Sequence, residues 1–254
     1  MASISGGLHL GRKHPDYRKA RLWAEDYHVA SALPAFKAYV DYASEVYTWP
    51  MYLNDQIGDC TCAAYCHCIN AWSKYVTGKE QIPGNGVPLS MYEAVGKYIP
   101  GNSSTDNGCV MSDILEYAKV HGVAGHNLLA YAQLKNTGVT SLNQALQLYG
   151  SVYLGVNLPQ SAENQFSEGK TWTYVKGSPI IGGHCVVLQK MDAHALGNYS
   201  IVTWGALQGV TTEWMATYLE EAWVMLSPQW LTAKGGSITG VNTSELQADM
   251  ALLS

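Results

Sequence analysis

The spacing of apolar and polar residues changes character about midway along this 254-residue chain. In the first half it predicts helices. The strongest covers 61–76 and stops at Thr77-Gly78, a C-cap signal. A short amphipathic helix is expected over 90–98, capped by Ser90 with Glu93 three residues on. A third covers 111–121, with Ser112 as cap, Ile114, Leu115, Ala118 and Val120 as apolar positions, and Gly122 as the stop. A fourth is expected over 141–148, before Gly150. The second half turns to β runs at 151–157, 180–191 and 199–205. Two helical patterns follow, at 214–223 and at 243–253, where Leu246, Met250 and Leu253 share one side.

The intervening stretches are less regular. Residues 1–30 read as a polar and then basic arm, and 33–47 has no clear period. Residues 46–53 (VYTWPMYL) look aromatic and extended, with Pro50 at an edge or turn. Segments 81–88, 100–108 and 231–240 carry the Gly, Pro and Ser of loops. Helices first and strands afterwards predict an α+β fold of two lobes, without an internal repeat.

Composition narrows the classes. Apolar residues make up 47% and charged residues 14%, so the chain can bury a substantial core as one domain. The 17 Tyr and 8 Trp against 2 Phe suggest half-buried, amphipathic surfaces. A net charge of −5 argues against nucleic acid as a partner. The basic charge is nevertheless concentrated: Arg12, Lys13, Arg18, Lys19 and Arg21 lie within ten residues. This is either a solvated arm or one that docks on an acidic surface. No apolar run approaches the ~20 residues that span a bilayer, and the N-terminus has no secretory h-region. Four of six cysteines (Cys60, Cys62, Cys66, Cys68) crowd into nine residues of one predicted helix, where disulfide geometry is hard to meet. Free thiols and a reducing, cytoplasmic compartment are expected.

Candidate chemistry centres on residues 54–72, NDQIGDCTCAAYCHCINAW. Gly58-Asp59 stops the preceding segment and puts Cys60 in the first turn of the best helix. The free N–H groups and dipole of that turn favour a thiolate. Cys62, with Gln56 six residues earlier, is the alternative nucleophile but lacks the preceding Gly-x turn. A cysteine nucleophile needs a base. Of eight histidines, His184 stands out, following Gly182-Gly183 at the start of a β run. The cysteines fall on different helical faces, so they do not read as a metal site, and Cys62, Cys66 and Cys68 read as small core residues. Trp204, Trp214, Trp223 and Trp230 likewise read as core. No cofactor or metal is expected.

These segments resemble those of the papain-like cysteine peptidases. Cys60 matches that family's nucleophile, Asn54 stands where the family has its oxyanion-hole Gln, and Gly-His184-x-Val resembles its histidine segment. Asp106-Asn107-Gly108, Asp113, Leu115 and Gly122-Val123 are similar to a further family stretch. Val202-Thr203-Trp204-Gly205 matches the family's Asn-Ser-Trp-Gly, with Val202 at the position of the orienting Asn. Thr203 or Asn198 then becomes the candidate to orient His184. The resemblance implies a helical N-terminal lobe and an antiparallel β-sheet C-terminal lobe over 46–230, preceded by an arm and lead-in (1–45) and followed by an extension (231–254).

It implies a thiol hydrolase acting on peptide or protein substrates through Cys60, His184, Asn54 and Thr203, weakened by the Asn54 and Val202 replacements. The motifs NDxxGDCTxAA, GGHxV and VTWG also resemble papain-like proteins of bacteriophages and actinobacteria. That likeness implies the alternative: a virion structural or accessory protein (capsid or tail) with little catalysis. It would sit in the host cytoplasm or a virion and meet viral or like neighbours through 1–30 and 231–254.

Overall fold

The computed structural model describes residues 8–194 and 199–253. Asn198 and residues 1–7 of the arm lie outside them. Helix α1 (Cys60–Thr77) ends where Gly78 takes a left-handed conformation, as the Thr-Gly pair predicts. It is buried on all faces from Cys60 to Ser73, so it is a central helix and not a surface one. The first part of the chain also holds β1 (Tyr39–Asp41), α2 (Gly86–Met91) and α3 (Met111–His121), with short 3-10 turns at Ala24–Tyr27, Ala30–Ala32 and Ser103–Thr105. The second helix starts earlier than Ser90 predicts. Its last turn relaxes into a wider π-helical turn over Tyr92–Gly96.

The sheet is built from β2 (Ala130–Gln133), β3 (Val152–Pro159), β4 (Ile180–Asp192), β5 (Tyr199–Thr203), β6 (Ala206–Val210) and β7 (Leu219–Leu226). Its order is β2-β7-β3-β4-β5-β6, with β1 beside the far end of β4, and all these pairings are antiparallel. Helices α4 (Val139–Tyr149), α5 (Gln160–Ser167), α6 (Thr212–Tyr218), α7 (Pro228–Ala233) and α8 (Thr243–Leu252) pack around it. The α+β expectation holds, with α1 lying against β4.

Two expected elements differ. Residues 46–53 contain no strand: 46–51 are irregular and a turn begins at Tyr52, where Tyr52 and Leu53 take positive φ. The pattern over 214–223 divides into α6 and β7, because its Leu-Glu-Glu-Ala-Trp half pairs with β3 and β2. Trp204, Trp214, Trp223 and Trp230 are buried, as are all six cysteines, which are free thiols.

The arm is partly solvated: Arg12 is buried, while Lys13, Arg18 and Lys19 are exposed. Its described part lies along the body. Arg12 forms ion pairs with Glu220 and Glu221, and Lys19 pairs with Asp113. For Arg12 and Lys19 the acidic partners are therefore the chain's own, while Arg18 pairs with Asp16 within the arm.

Candidate active site

Cys60 opens α1, as the Gly58-Asp59 stop requires. His184 lies on β4, opposite Val156 of β3. The Cys60 sulfur faces the backbone N–H groups of Cys185 and Gly11. The helix tip and the histidine strand therefore meet, as the two motifs imply.

The helix-tip argument alone favours a lowered thiol pKa, but in this closed arrangement burial prevails. Cys60 is 1% exposed. Loss of water raises its pKa to about 12, although the two N–H groups pull the other way. Cys60 is therefore a neutral thiol here. Cys62, the alternative nucleophile, is also fully buried, and its pKa is raised too.

His184 is fully buried. Its Nε2 shares a 2.7 Å hydrogen bond with Thr203 Oγ1, while Nδ1 has no hydrogen-bond partner. Thr203 thus supplies the orienting contact that Val202 cannot: Val202 is buried and pairs with Val187 across the sheet. The imidazole also stacks on Trp204, with centroids 4.5 Å apart and planes 21° apart. A two-residue hairpin places that indole. Thr203 pairs with Ala206, and both Trp204 (φ 43°) and Gly205 (φ 70°) take the left-handed conformation such a turn demands. For a tryptophan this conformation is strained, and here it sets the ring on the histidine.

Burial, with the positive charge of Arg12 adding to it, lowers the His184 pKa to about 3. Burial also lowers the His67 pKa to about 4, while the Pro50 carbonyl hydrogen-bonded to its Nε2 works the other way. Both are neutral in the folded chain and take up a proton near pH 6.5 once unfolded. Stability is therefore lost as pH falls below 6.5. The Asp59 carboxyl acts in the opposite sense, since burial raises its pKa well above the usual range. A comparison of wild type with His184→Gln isolates the histidine. Their difference in unfolding free energy should fall by about 1.4 kcal/mol per pH unit between pH 6.5 and 4, read from urea titrations.

Asn54 is buried and lies just before the helix. Its shorter side chain still reaches a groove carbonyl. Nδ2 donates to His9 O at 3.2 Å and to Ile57 O at 3.3 Å. Asn54, the Cys60 sulfur and Gly183, the residue before His184, thus border one groove, since one further segment of the chain contacts all three.

The occupant of that groove was not legible in the motifs: it is residues 8–14 of the chain itself. His9 N–H donates to Asn54 O (3.2 Å), Cys109 N–H to Gly11 O (2.8 Å), Arg12 N–H to Gly183 O (3.1 Å) and Lys13 N–H to Cys109 O (2.9 Å). The strap is extended, and Arg12 forms a parallel bridge with Cys109. Gly11 marks the closest approach. A Cβ there would sit 1.7 Å from the Gly58 carbonyl oxygen, so no other residue fits without moving the strap. The strap presents an N–H to the Cys60 sulfur, and the Gly11 carbonyl is committed to Cys109.

The Arg12 guanidinium enters the body beneath the strap. Nη1 donates to Glu221 Oε1 (3.0 Å), and Nη2 to Asn157 Oδ1 (3.1 Å), Val156 O (3.3 Å) and Glu220 Oε2. Burial raises the Glu221 pKa. Burial also works to raise that of Glu220, but the bonds from Arg12 and His14 prevail and lower it. No group of three or more potential metal ligands occurs among the described residues.

No family profile matches the chain, and no curated protein matches it in sequence. Solved structures do. Xylellain, a cysteine protease from Xylella fastidiosa, superposes with a TM-score of 0.63 at 16% identity, over 89% of this chain and 97% of that one. The proCathepsin B S9 of Trypanosoma congolense gives 0.59 at 10% identity, over 86% of each chain. Procathepsin L 3 from Tenebrio molitor larval midgut gives 0.56 at 14%, over 88% of this chain and 77% of that one. The fold is thus the papain-like one. These neighbours do not bear on the likeness to phage and actinobacterial proteins.

Proposed function

We propose that this chain is a papain-like thiol hydrolase acting on peptide or protein substrates, held by its own residues 8–14 in a closed state. Cys60 is the nucleophile and His184 its base. Thr203 and Trp204 orient the imidazole, and Asn54 donates to the developing oxyanion. The observations that support this reading are a helix-tip thiol that faces the β4 backbone at Cys185 and, on the adjoining residue, a histidine whose Nε2 is bonded to Thr203 and whose Nδ1 has no hydrogen-bond partner. Cys60 and His184 are both neutral while the strap excludes water. Opening the groove would let the proton pass from sulfur to imidazole. The thiolate would then attack the substrate carbonyl, and the imidazolium would protonate the leaving amine. The Asn54 amide already donates to a groove carbonyl, which suits it to stabilise the tetrahedral oxyanion.

The filled groove also supports a second reading, in which the chain keeps this fold for a structural or accessory role, as in a virion or an assembly of like chains, with little catalysis. One assay separates the two. A Gly11→Val chain, whose strap cannot seat, should hydrolyse fluorogenic peptides, and the added Cys60→Ser substitution should abolish that activity. Absence of turnover across a broad peptide library would sink the hydrolase reading and favour the structural one.

A further inference from the structure

The strap shows which side chain the groove is built to receive. Arg12 is held at two levels. Its main chain is clamped from both sides of the groove by bonds any residue would make, to Gly183 O and, through its neighbours, to Cys109. Its side chain is held by groups that suit a guanidinium. Glu221 takes one terminal nitrogen, while Glu220, the Val156 carbonyl and the Asn157 amide oxygen surround the other. Such a divided acceptor set fits a planar fork better than the point charge of a lysine.

The seat is braced independently of its occupant. Trp223 Nε1–H donates to Glu221 Oε2 at 2.7 Å and fixes that carboxylate. Gly155, opposite Glu221 in the β3–β7 register, makes room for the stem. A Cβ at Gly155 would lie 2.7 Å from both Glu221 Cγ and Met111 Sδ, and 2.8 Å from Arg12 Cδ. Met111 comes from α3, so the walls of the seat belong to both sides of the groove. The seat is also next to the thiol, since the neighbouring Gly11 N–H faces the Cys60 sulfur.

We propose that the cleft formed by Glu220, Glu221, Asn157 and Gly155 is a specificity subsite for arginine, and that substrates of this chain place an arginine where Arg12 now lies. As a statement about substrates this rests on the hydrolase reading, whereas the binding preference stands apart from it. In place of the strap, a peptide would be read by its main chain at Gly183 and Cys109 and selected by its guanidinium. Glu221, buried and fixed by Trp223, sets the preference.

The test uses the full chain with Arg12→Ala, which empties the seat. The probes are N-acetyl-arginine N-methylamide and its norleucine counterpart, at equal millimolar concentrations. The arginine amide is expected to raise the melting temperature by several degrees, to change tryptophan fluorescence through Trp223, and to bind at least about tenfold more tightly than norleucine. Adding Glu221→Leu should remove the preference. Equal binding of the two amides, or a preference that survives Glu221→Leu, overturns the proposal. Should Arg12→Ala prove unstable, Gly11→Val expels the strap by steric clash and keeps every wall of the seat, and the same comparison applies. Peptide hydrolysis by Gly11→Val separates the two claims. An arginine binding preference without turnover would contradict the hydrolase reading alone. Turnover indifferent to arginine would contradict the subsite alone.

Discussion

Replacing Gly11 by valine is expected to raise the rate at which iodoacetamide labels Cys60 at pH 7 by at least about a hundredfold. The reasoning is steric and then electrostatic. Valine carries a Cβ that would lie 1.7 Å from the Gly58 carbonyl oxygen, so the strap must leave. With the strap seated, the thiol is 1% exposed and its pKa is pushed up to about 12. Only about one molecule in 10⁵ then carries a thiolate at pH 7, against a few per cent for a free cysteine. Strap loss restores water and leaves the helix tip and His184 to favour the thiolate. Cys62, Cys66 and Cys68 are buried further along α1 and should stay slow, while Cys109 and Cys185, which border the strap, are scored separately; mass spectrometry of the labelled peptides distinguishes them. Labelling of Cys60 at the same rate in both chains would mean that the strap does not shield it.

The second large effect falls on stability. Arg12→Ala is expected to cost about 3–5 kcal/mol in unfolding free energy. The Arg12 side chain is wholly buried, and Glu221 is 1% exposed. Removing the guanidinium leaves a buried carboxylate whose remaining side-chain partner is the Trp223 N–H. The desolvation cost of Glu221 is then no longer offset. The double variant Arg12→Ala, Glu221→Gln should recover much of the loss, because an amide carries no charge to strand. Urea unfolding of the single and double variants gives both numbers. A loss under about 1 kcal/mol would place the Arg12 pair among ordinary surface ion pairs and weaken its role in closing the groove.

Much of the fold could be read from local signals. The Thr77-Gly78 and Gly122 stops and the β runs at 151–157 and 180–191 fall close to the observed α1, α3, β3 and β4. Those boundaries are written by residues at the boundaries themselves. The division of 214–223 into α6 and β7 is not, since strand pairing with β3 and β2 overrides a pattern that fits a helix by itself. The short β2 and β6 have the same origin: each exists because a neighbouring strand offers a ladder.

In the proposed site, Cys60 and His184 stand out because each carries the small local context that such chemistry needs. Thr203 is one of two candidates to orient His184, and its hydroxyl is hydrogen-bonded to the ring; the other, Asn198, lies outside the described residues. Arg12, Glu220 and Glu221 could not be found in this way. They are about 210 residues apart in the chain, and nothing local distinguishes a buried guanidinium from one on a solvated arm. The density of charge at 12–21 hinted at an acidic surface, but only the tertiary structure shows that the surface belongs to the same molecule. Gly11 and Gly155 carry a weak signal of their own. Each stands where two segments approach too closely for a side chain, and such a glycine is read only after its neighbour in space is known.

Cys60 and His184 are expected to share one proton once the groove is open. The direct measurement is the pH profile of Cys60 alkylation in Gly11→Val, with and without His184→Ala. With His184 present, reactivity should persist in acid, with the thiol half-titrated below about pH 5. In the alanine variant the midpoint should move to about 8.5, the value of an unassisted thiol. Matching profiles in the two chains would show that the histidine does not govern the thiol, and would contradict the account.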